Sequence, residues 1–178
     1  MCMQSIVWFS GPSAMNLIDV VPYDRYVEIG CNHFDQYRSV QHLVAYDRQV
    51  IQNYGEQNDH CEYWTQPKWS QQPLWKSIKK KNSQHIGDSG QLAVALSLQL
   101  GASHTYIIGC DWQITDASIQ DHWYSFRGYQ PPKYSNIKDR WLQDIGQDIT
   151  WVHLERRPWM QNYLHHSDFL DLATSSRH

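Results

Sequence analysis

Residues 88–111 constrain the fold more than any other part of the chain. They begin with Asp88-Ser89-Gly90, continue through the apolar stretch QLAVALSLQL to Gly101, and end with HTYIIGCD. Asp88 or Ser89 suits a helix N-cap and Gly101 suits the position after a helix C-cap, so the spacing predicts a helix between them. Because this helix is apolar on nearly every side, we expect it to be buried. A buried helix followed directly by an apolar strand is the second half of a parallel βαβ crossover.

The other predicted elements continue an alternation of short strands and helices. Apolar segments bounded by turn residues predict strands at residues 5–9, 25–31, 41–46, 60–65 (the weakest) and 149–154. Helices are predicted over 47–54, with Asp47 as N-cap, and over 135–146, whereas 66–83 is expected to be irregular. No internal repeat or linker divides the chain. The pattern predicts the α/β class: one three-layer Rossmann-like domain over residues 1–178, with a mainly parallel sheet.

Composition narrows the classes of function. The 178-residue chain has a net charge of −3, so it lacks the basic field typical of nucleic-acid binding. Its four cysteines form no close pair, which argues against a zinc site and predicts free thiols. The chain has no apolar stretch near the ~20 residues that span a bilayer and no signal-peptide pattern, so we expect a cytoplasmic protein without membrane contact. The abundant aromatic and histidine side chains suit a stacking surface or an interface, such as that of a homo-oligomer.

Two of the candidate binding segments follow the first two predicted strands, at the carboxyl ends where open parallel sheets bind ligands. Gly11 would let the backbone approach a phosphate and Ser13 could donate a hydrogen bond, although ordinary strand-to-loop turns often contain the same residues. Asn32 carries an amide that both donates and accepts, which suits a base or a sugar. An ordinary turn asparagine is the alternative for Asn32.

Two further candidates belong to the central helix and the strand after it. Ser89 and Gly90 open the helix, where unpaired N–H groups can bind an anion. Asp88 would instead satisfy those donors itself and repel a phosphate. Asp111 ends the following strand and could hold Mg²⁺ through one carboxylate and water, or cap the next turn.

A long polar and aromatic insertion at residues 112–134 supplies the remaining candidates. Loops of this length within a domain are usually functional or disordered, and the aromatic residues argue against disorder. His122 could act as a general base, while Arg127 and Lys133 could hold a phosphate or a carboxylate. Plain surface positions are the alternative for each of these three residues.

Four motifs occur in a recognisable order: SGPS at 10–13, GCNHF at 30–34, DSGQLAVALSLQLG at 88–101 and IIGCDW at 107–112. Together they resemble a group that includes bacterial CMP-sialic-acid-dependent sialyltransferases and proteins similar to 6-hydroxymethylpterin diphosphokinase. The resemblance implies a nucleotide site lined by Gly11, Ser13, Asn32, Ser89 and Gly90, with Asp111 and Trp112 beside it. The compact, Trp-rich chain is also similar to phage-encoded relatives, which would place it in a host cytoplasm.

The resemblance implies a nucleotide-dependent transferase that moves a glycosyl or diphosphoryl group from a CMP-sugar or ATP to a small acceptor. Asp111, His122, Arg127 and Lys133 are the catalytic candidates, and transfer from ATP should need Mg²⁺, with Asp111 as its ligand. The alternative is a non-catalytic nucleotide-binding or assembly protein on the same fold. It is supported by Pro131-Pro132, which precede Lys133 where the sialyltransferases carry their catalytic histidine.

Overall fold

The centre of the molecule is a single sheet of eight parallel strands in the order β5-β4-β3-β2-β1-β6-β7-β8. The computed structural model describes residues 2–54, 59–78, 88–111, 148–157 and 160–175. The strands are β1 (Gln4–Trp8), β2 (Val27–Cys31), β3 (His42–Ala45), β4 (Glu62–Thr65), β5 (Trp75–Ser77), β6 (His104–Ile108), β7 (Ile149–His153) and β8 (Tyr163–His165). The helices are α1 (Arg48–Asn53), α2 (Ser89–Gln99) and α3 (His166–Thr174), with 3-10 turns at Pro12–Asn16, Phe34–Gln36 and Pro67–Trp69.

The strand order reverses direction at β1. The chain moves outward on one side from β1 to β5, and after α2 it continues on the other side of β1 with β6, β7 and β8. Strand β1 therefore pairs with both β2 and β6, for example through Ser5 opposite Val27 and Thr105. This order is that of a doubly wound sheet, which confirms the predicted α/β class.

Apolar side chains cover both faces of the sheet. On one face, Ile6 and Trp8 of β1 pack in a core with residues of α1 and α3, including Phe169. On the other face, Val7 packs in a second core with Leu92 and other residues of α2. Because consecutive residues of a strand point to opposite faces, strands buried on both sides read as continuous apolar runs. The result is the predicted three-layer arrangement.

Helix α2 follows the prediction closely. Asp88 is its N-cap and accepts a 2.8 Å hydrogen bond from the backbone N–H of Gln91. Gly101 follows its C-cap with φ of +90°, a conformation that favours glycine. The helix is buried from Ser89 to Ser97, and the Ser97 hydroxyl lies 2.6 Å from that of Ser5 on β1. The Ser97–Ser5 contact joins the C-terminal half of α2 to β1.

A buried ion pair joins β2 to the segment between β2 and β3, and its arginine also bonds to the segment after β1. Glu28 of β2 is 1% exposed and accepts hydrogen bonds from Trp8 Nε1 at 2.7 Å and from Arg38 Nε at 2.5 Å. The guanidinium of Arg38 also donates to the carbonyl oxygens of Ile18 and Val21. Burial raises the pKa of Glu28, although the hydrogen bonds and charge of Arg38 and the Trp8 hydrogen bond act in the opposite direction.

The structure departs from the sequence expectations at two places. Within residues 66–83, expected to be irregular, Trp75–Ser77 forms the edge strand β5, and Trp75 is buried. In the tail, where we noted only the short segment SDFLDL, Tyr163–His165 forms β8 and His166–Thr174 forms α3. The helix predicted over 135–146 lies outside the described residues.

The structure bears on two expectations from composition. All four cysteines are free thiols, as predicted. Among the helices that the structure describes, none has both the length and the apolar character needed to cross a membrane.

Candidate functional site

The carboxyl ends of β1 and β6 flank the point where the strand order reverses. In open α/β sheets, ligands bind outside the strand ends at this topological switch point. Ser13 follows β1, Asn32 follows β2 and Asp111 follows β6. Adjacent strands lie about 4.8 Å apart, so these three predicted positions share one edge of the sheet.

The turn after β1 is closed by the turn after β6. The N–H of Gly11 donates a 2.9 Å hydrogen bond to the carbonyl oxygen of Gly109. A Cβ atom at Gly11 would lie 2.1 Å from that oxygen and 2.6 Å from Oδ2 of Asp111. The Gly109 carbonyl and the Asp111 carboxylate therefore require glycine at position 11, and the predicted approach of a phosphate to Gly11 stays a prediction.

Asp111 is held by two donors. Its Oδ2 accepts a 2.6 Å hydrogen bond from the backbone N–H of Ser13, and its Oδ1 lies 2.7 Å from Nε2 of His153, the last residue of β7. Burial raises the pKa of Asp111, but the hydrogen bonds from His153 and Ser13 outweigh burial and hold this pKa below its ordinary value of 3.8. Asp111 is therefore a carboxylate at neutral pH, and Nε2 of His153 carries the proton between them.

The second ring nitrogen of His153 is also engaged. Nδ1 lies 3.0 Å from the backbone nitrogen of Glu155 and 2.9 Å from its carbonyl oxygen. With both nitrogens occupied, His153 is fixed in orientation and holds Asp111 in place. It does not present a free base to a ligand.

The geometry at Asp111 bears on the predicted Mg²⁺ site. Both carboxylate oxygens already accept a hydrogen bond, so a cation would have to share them with Ser13 and His153. Within the described ranges, no group of three or more His, Cys, Asp and Glu side chains is arranged to hold a metal ion. The Mg²⁺ ligand role of Asp111 therefore stays a prediction.

On the other side of β1, Asn32 and Ser89 are in direct contact. Asn32 has a φ of +58°, and its Oδ1 accepts a 2.7 Å hydrogen bond from the Ser89 hydroxyl. The Ser89 hydroxyl accepts in turn from the N–H of Tyr46, at 3.0 Å. These bonds fix the carboxamide of Asn32 and leave its NH₂ group without a hydrogen-bond partner in the described part of the chain. Gly90, the next residue of α2, is buried beside this pair.

The N-terminal end of α2, where an anion site was predicted as one alternative, is capped by the protein itself. Asp88 accepts from the N–H of Gln91, as one of the two sequence alternatives predicted. The structure thus brings Gly11, Ser13 and Asp111 together on one side of β1 and Asn32, Ser89 and Gly90 on the other. Trp112, His122, Arg127 and Lys133 lie outside the described residues, so their predicted roles stay predictions.

Sequence reasoning missed two histidines at this edge. His153 is the next-to-last residue of the strand predicted over 149–154, and an argument from strand ends like that for Asp111 would have selected it. His166 directly follows β8 and begins α3. It is 4% exposed, and neither ring nitrogen has a hydrogen-bond partner among the residues that the structure describes. Burial, followed by the neighbouring His153 and His165, lowers the pKa of His166 to about 4, so its ring is neutral at pH 7.

Comparisons of the chain with protein families, with curated protein sequences and with solved structures found no match. The sheet topology and the side chains at its carboxyl edge are therefore the basis for a functional assignment.

Proposed function

We propose that this protein is a nucleotide-dependent transferase that moves a glycosyl or diphosphoryl group from a nucleotide donor to a small acceptor. The observation that carries the proposal is the hydrogen-bonded pair of Asn32 and Ser89 beside the switch point of the sheet. A left-handed backbone conformation at a non-glycine residue has an energetic cost, and such conformations cluster at ligand sites. At Asn32 that conformation places a carboxamide at the binding edge.

The Asn32 carboxamide suits the recognition of a nucleoside. Its oxygen accepts from Ser89, so its NH₂ group is the part available to donate to a base carbonyl or a ribose hydroxyl. Because the acceptor oxygen is fixed by a neighbour, the donor end is preorganised, which lowers the entropy lost on binding.

The phosphates of the donor need charge compensation at this edge. Asp88 and Asp111 are both close to the positions where a phosphate would approach the backbone N–H groups of α2 and of the first turn. Like charges repel, so the proposal requires cations near the phosphates. Mg²⁺ and the side chains of Arg127 and Lys133 are the proposed sources.

The same two carboxylates favour a second candidate function. Both anion-binding turns are filled by the chain's own acids, which is the arrangement expected if the protein binds a nucleoside without turning over its phosphates. A non-catalytic binding or assembly protein is therefore the alternative. Turnover separates it from the transferase.

The test is a thermal-shift panel of CMP, CDP, AMP, ATP, UDP and GDP, each with and without Mg²⁺. A ligand at 100 times its Kd raises stability by about 2.7 kcal/mol, which is readily seen. A shift by cytidine nucleotides without metal supports glycosyl transfer, and a shift by ATP only with Mg²⁺ supports diphosphoryl transfer. If no nucleotide shifts the transition, the proposal is wrong.

Three variants localise the effect. Asn32→Gly removes the carboxamide while accepting the positive φ, and Ser89→Ala removes the hydroxyl that holds it. Both should abolish most of the nucleotide-induced shift. Ser103→Ala is the matched control because Ser103 is an exposed serine just before β6, at the opposite edge of the sheet, and it should behave as wild type. Binding by wild type without transfer from CMP-sugars or ATP would select the non-catalytic alternative.

A further inference from the structure

The side of the switch point away from Asn32 carries a buried histidine whose ring makes no hydrogen bond within the described part of the chain. Both ring nitrogens of His166 lack a partner among those residues. The His166 side chain is only 4% exposed. A buried polar group without a partner is destabilising, and folded proteins retain few of them.

His166 lies next to a histidine that is bonded to a charged group. Asp111 accepts a hydrogen bond from the backbone N–H of Ser13 at 2.6 Å and contacts Nε2 of His153 at 2.7 Å. The rings of His153 and His166 have their centroids 6.4 Å apart, too far for a direct hydrogen bond in this arrangement. His166 is therefore near the Asp111 carboxylate and makes no hydrogen bond to the histidine that holds it.

The chemistry of these groups defines the ligand that they would accept. A neutral imidazole offers one donor and one acceptor, and a hydroxyl group offers both as well. Asp111 is ionised, so it accepts a hydrogen bond from a hydroxyl and repels an anion. The cluster therefore matches a neutral, hydroxyl-bearing molecule better than a phosphate or a carboxylate.

The cluster of Asp111, His153 and His166 lies where the acceptor of a transferase would bind relative to the proposed nucleotide site. Asn32 and Ser89 lie on the β2 side of β1. On the other side, Asp111 follows β6, His153 ends β7 and His166 follows β8. A group held at the switch point would face both sets of residues. The two substrates of a transferase would then approach from opposite sides of β1.

We propose that Asp111 and His166 form the acceptor subsite of the transferase, which takes a small neutral molecule with several hydroxyl groups, such as a monosaccharide or a polyol. In it, Asp111 accepts from one ligand hydroxyl and His166 bonds to another. His153 is a positioning residue that holds Asp111 in place. Calling the bound molecule an acceptor rests on the proposed function. The binding of a hydroxyl compound can be tested independently of it.

The experiment uses the full chain and three named probes: glycerol, glucose and galactose. Binding is measured by saturation-transfer NMR, both without nucleotide and with the nucleotide that gives the largest thermal shift. The proposal expects saturable binding of at least one probe to wild type, with a change in the ring signals of His166. Saturable binding of none of the three overturns it.

His166→Phe is the decisive variant. Phenylalanine keeps the buried ring and removes the unpartnered nitrogens, so the ligand-free variant should unfold at the same temperature as wild type or higher. Probe affinity should fall by about tenfold or more, the effect of losing one or two ordinary hydrogen bonds. Undiminished probe binding, or a clear loss of ligand-free stability, contradicts the proposal.

A matched control and a second ligand separate this proposal from the nucleotide site. His165→Asn changes the adjacent half-buried histidine and keeps an N-cap side chain for α3, so probe binding should persist. Nucleotide binding should also persist in His166→Phe. If nucleotides bind but probe binding does not depend on His166, the acceptor subsite is refuted and the nucleotide proposal stands. His166-dependent probe binding without any nucleotide binding supports the subsite and refutes the nucleotide proposal.

Discussion

The buried pair of Glu28 and Arg38 allows one stability prediction to be worked through in detail. Arg38→Met keeps a long apolar stem and removes the guanidinium. Glu28 then loses its hydrogen bonds from Arg38, at 2.5 and 2.6 Å, while its side chain stays 1% exposed. A buried carboxylate without its partner is strongly destabilising, so Glu28 in the folded variant should take up a proton.

The free-energy cost of protonating Glu28 sets the expected loss of stability in Arg38→Met. Raising its pKa from the ordinary value of 4.5 to above pH 7 covers about 2.5 pH units, which at 1.36 kcal/mol per unit is about 3.4 kcal/mol. The carbonyl oxygens of Ile18 and Val21 also lose their donor. We therefore expect Arg38→Met to lower the free energy of unfolding by about 3–5 kcal/mol at pH 7.

The sign of the pH dependence follows from the raised pKa. A carboxyl group that is protonated only in the folded variant favours folding less as pH rises above its unfolded pKa. At pH 5 the protonation cost in the folded variant is about 0.7 kcal/mol, against about 3.4 kcal/mol at pH 7. Because burial already raises the pKa of Glu28 in wild type, the deficit of Arg38→Met should shrink by at most about 2.7 kcal/mol from pH 7 to pH 5. Urea unfolding followed by tryptophan fluorescence at pH 5, 6 and 7 measures this difference.

A second substitution provides the control. In Arg38→Met with Glu28→Gln, the carboxylate is gone but an acceptor for Trp8 Nε1 remains. The double variant should be more stable than Arg38→Met at pH 7, and the difference between the two variants should shrink by about 2.7 kcal/mol at pH 5, because only the single variant has a carboxyl group at position 28. A deficit of Arg38→Met that is independent of pH, or a double variant as unstable as the single one, would refute this reasoning.

Three further predictions concern turns and the Asp111 carboxylate. Gly11→Ala should lower the free energy of unfolding by about 3 kcal/mol or more, because the added Cβ would lie 2.1 Å from a backbone oxygen. Gly101→Ala should lower it by only about 1–2 kcal/mol, because the space around that Cβ is open and only the φ of +90° is unfavourable. Equal losses in chemical denaturation would contradict this ranking. Asp88→Ala should cost about 1 kcal/mol through the lost cap of α2, measured by the same method, and an unchanged midpoint would argue against the cap. Because the pKa of Asp111 is lowered in the folded state, this group stabilises the fold above its unfolded pKa of 3.8, and that stability is lost as pH falls below it. The free energy of unfolding of wild type should therefore exceed that of Asp111→Asn at pH 6 and approach it in acid. A constant difference between the two would count against the hydrogen bonds at Asp111.

The elements best predicted from sequence are those with strong local signals. Helix α2 has an acidic N-cap, an uninterrupted apolar stretch and a glycine after its C-cap, and all three features have the predicted roles. Strand β5 escaped prediction because only Trp75 of its three residues is buried and its neighbours in sequence are polar. An edge strand of this length carries no periodic signal and is formed by pairing with β4.

Sequence reasoning placed the candidate residues on the correct edge without their contacts. That Ser13, Asn32 and Asp111 lie at carboxyl ends of strands follows from local patterns. That His153 bonds to Asp111 depends on β7 lying next to β6, and His166 depends on β8 joining that edge. Strand order is a property of the whole chain, so these partners could not be read from segments considered singly.

The central claim is that a nucleotide binds at the carboxyl edge beside the switch point, and backbone amide NMR tests it most directly. Titration with the nucleotide that shifts the thermal transition most should move the amide signals of Gly11, Asn32, Ser89 and Gly109, which lie at the binding edge. The amides of Met3 and Ser103, at the amino edge, should stay in place. Saturable shifts confined to the first set are the predicted result. Shifts centred on the amino edge, or none at any nucleotide concentration, would contradict the account.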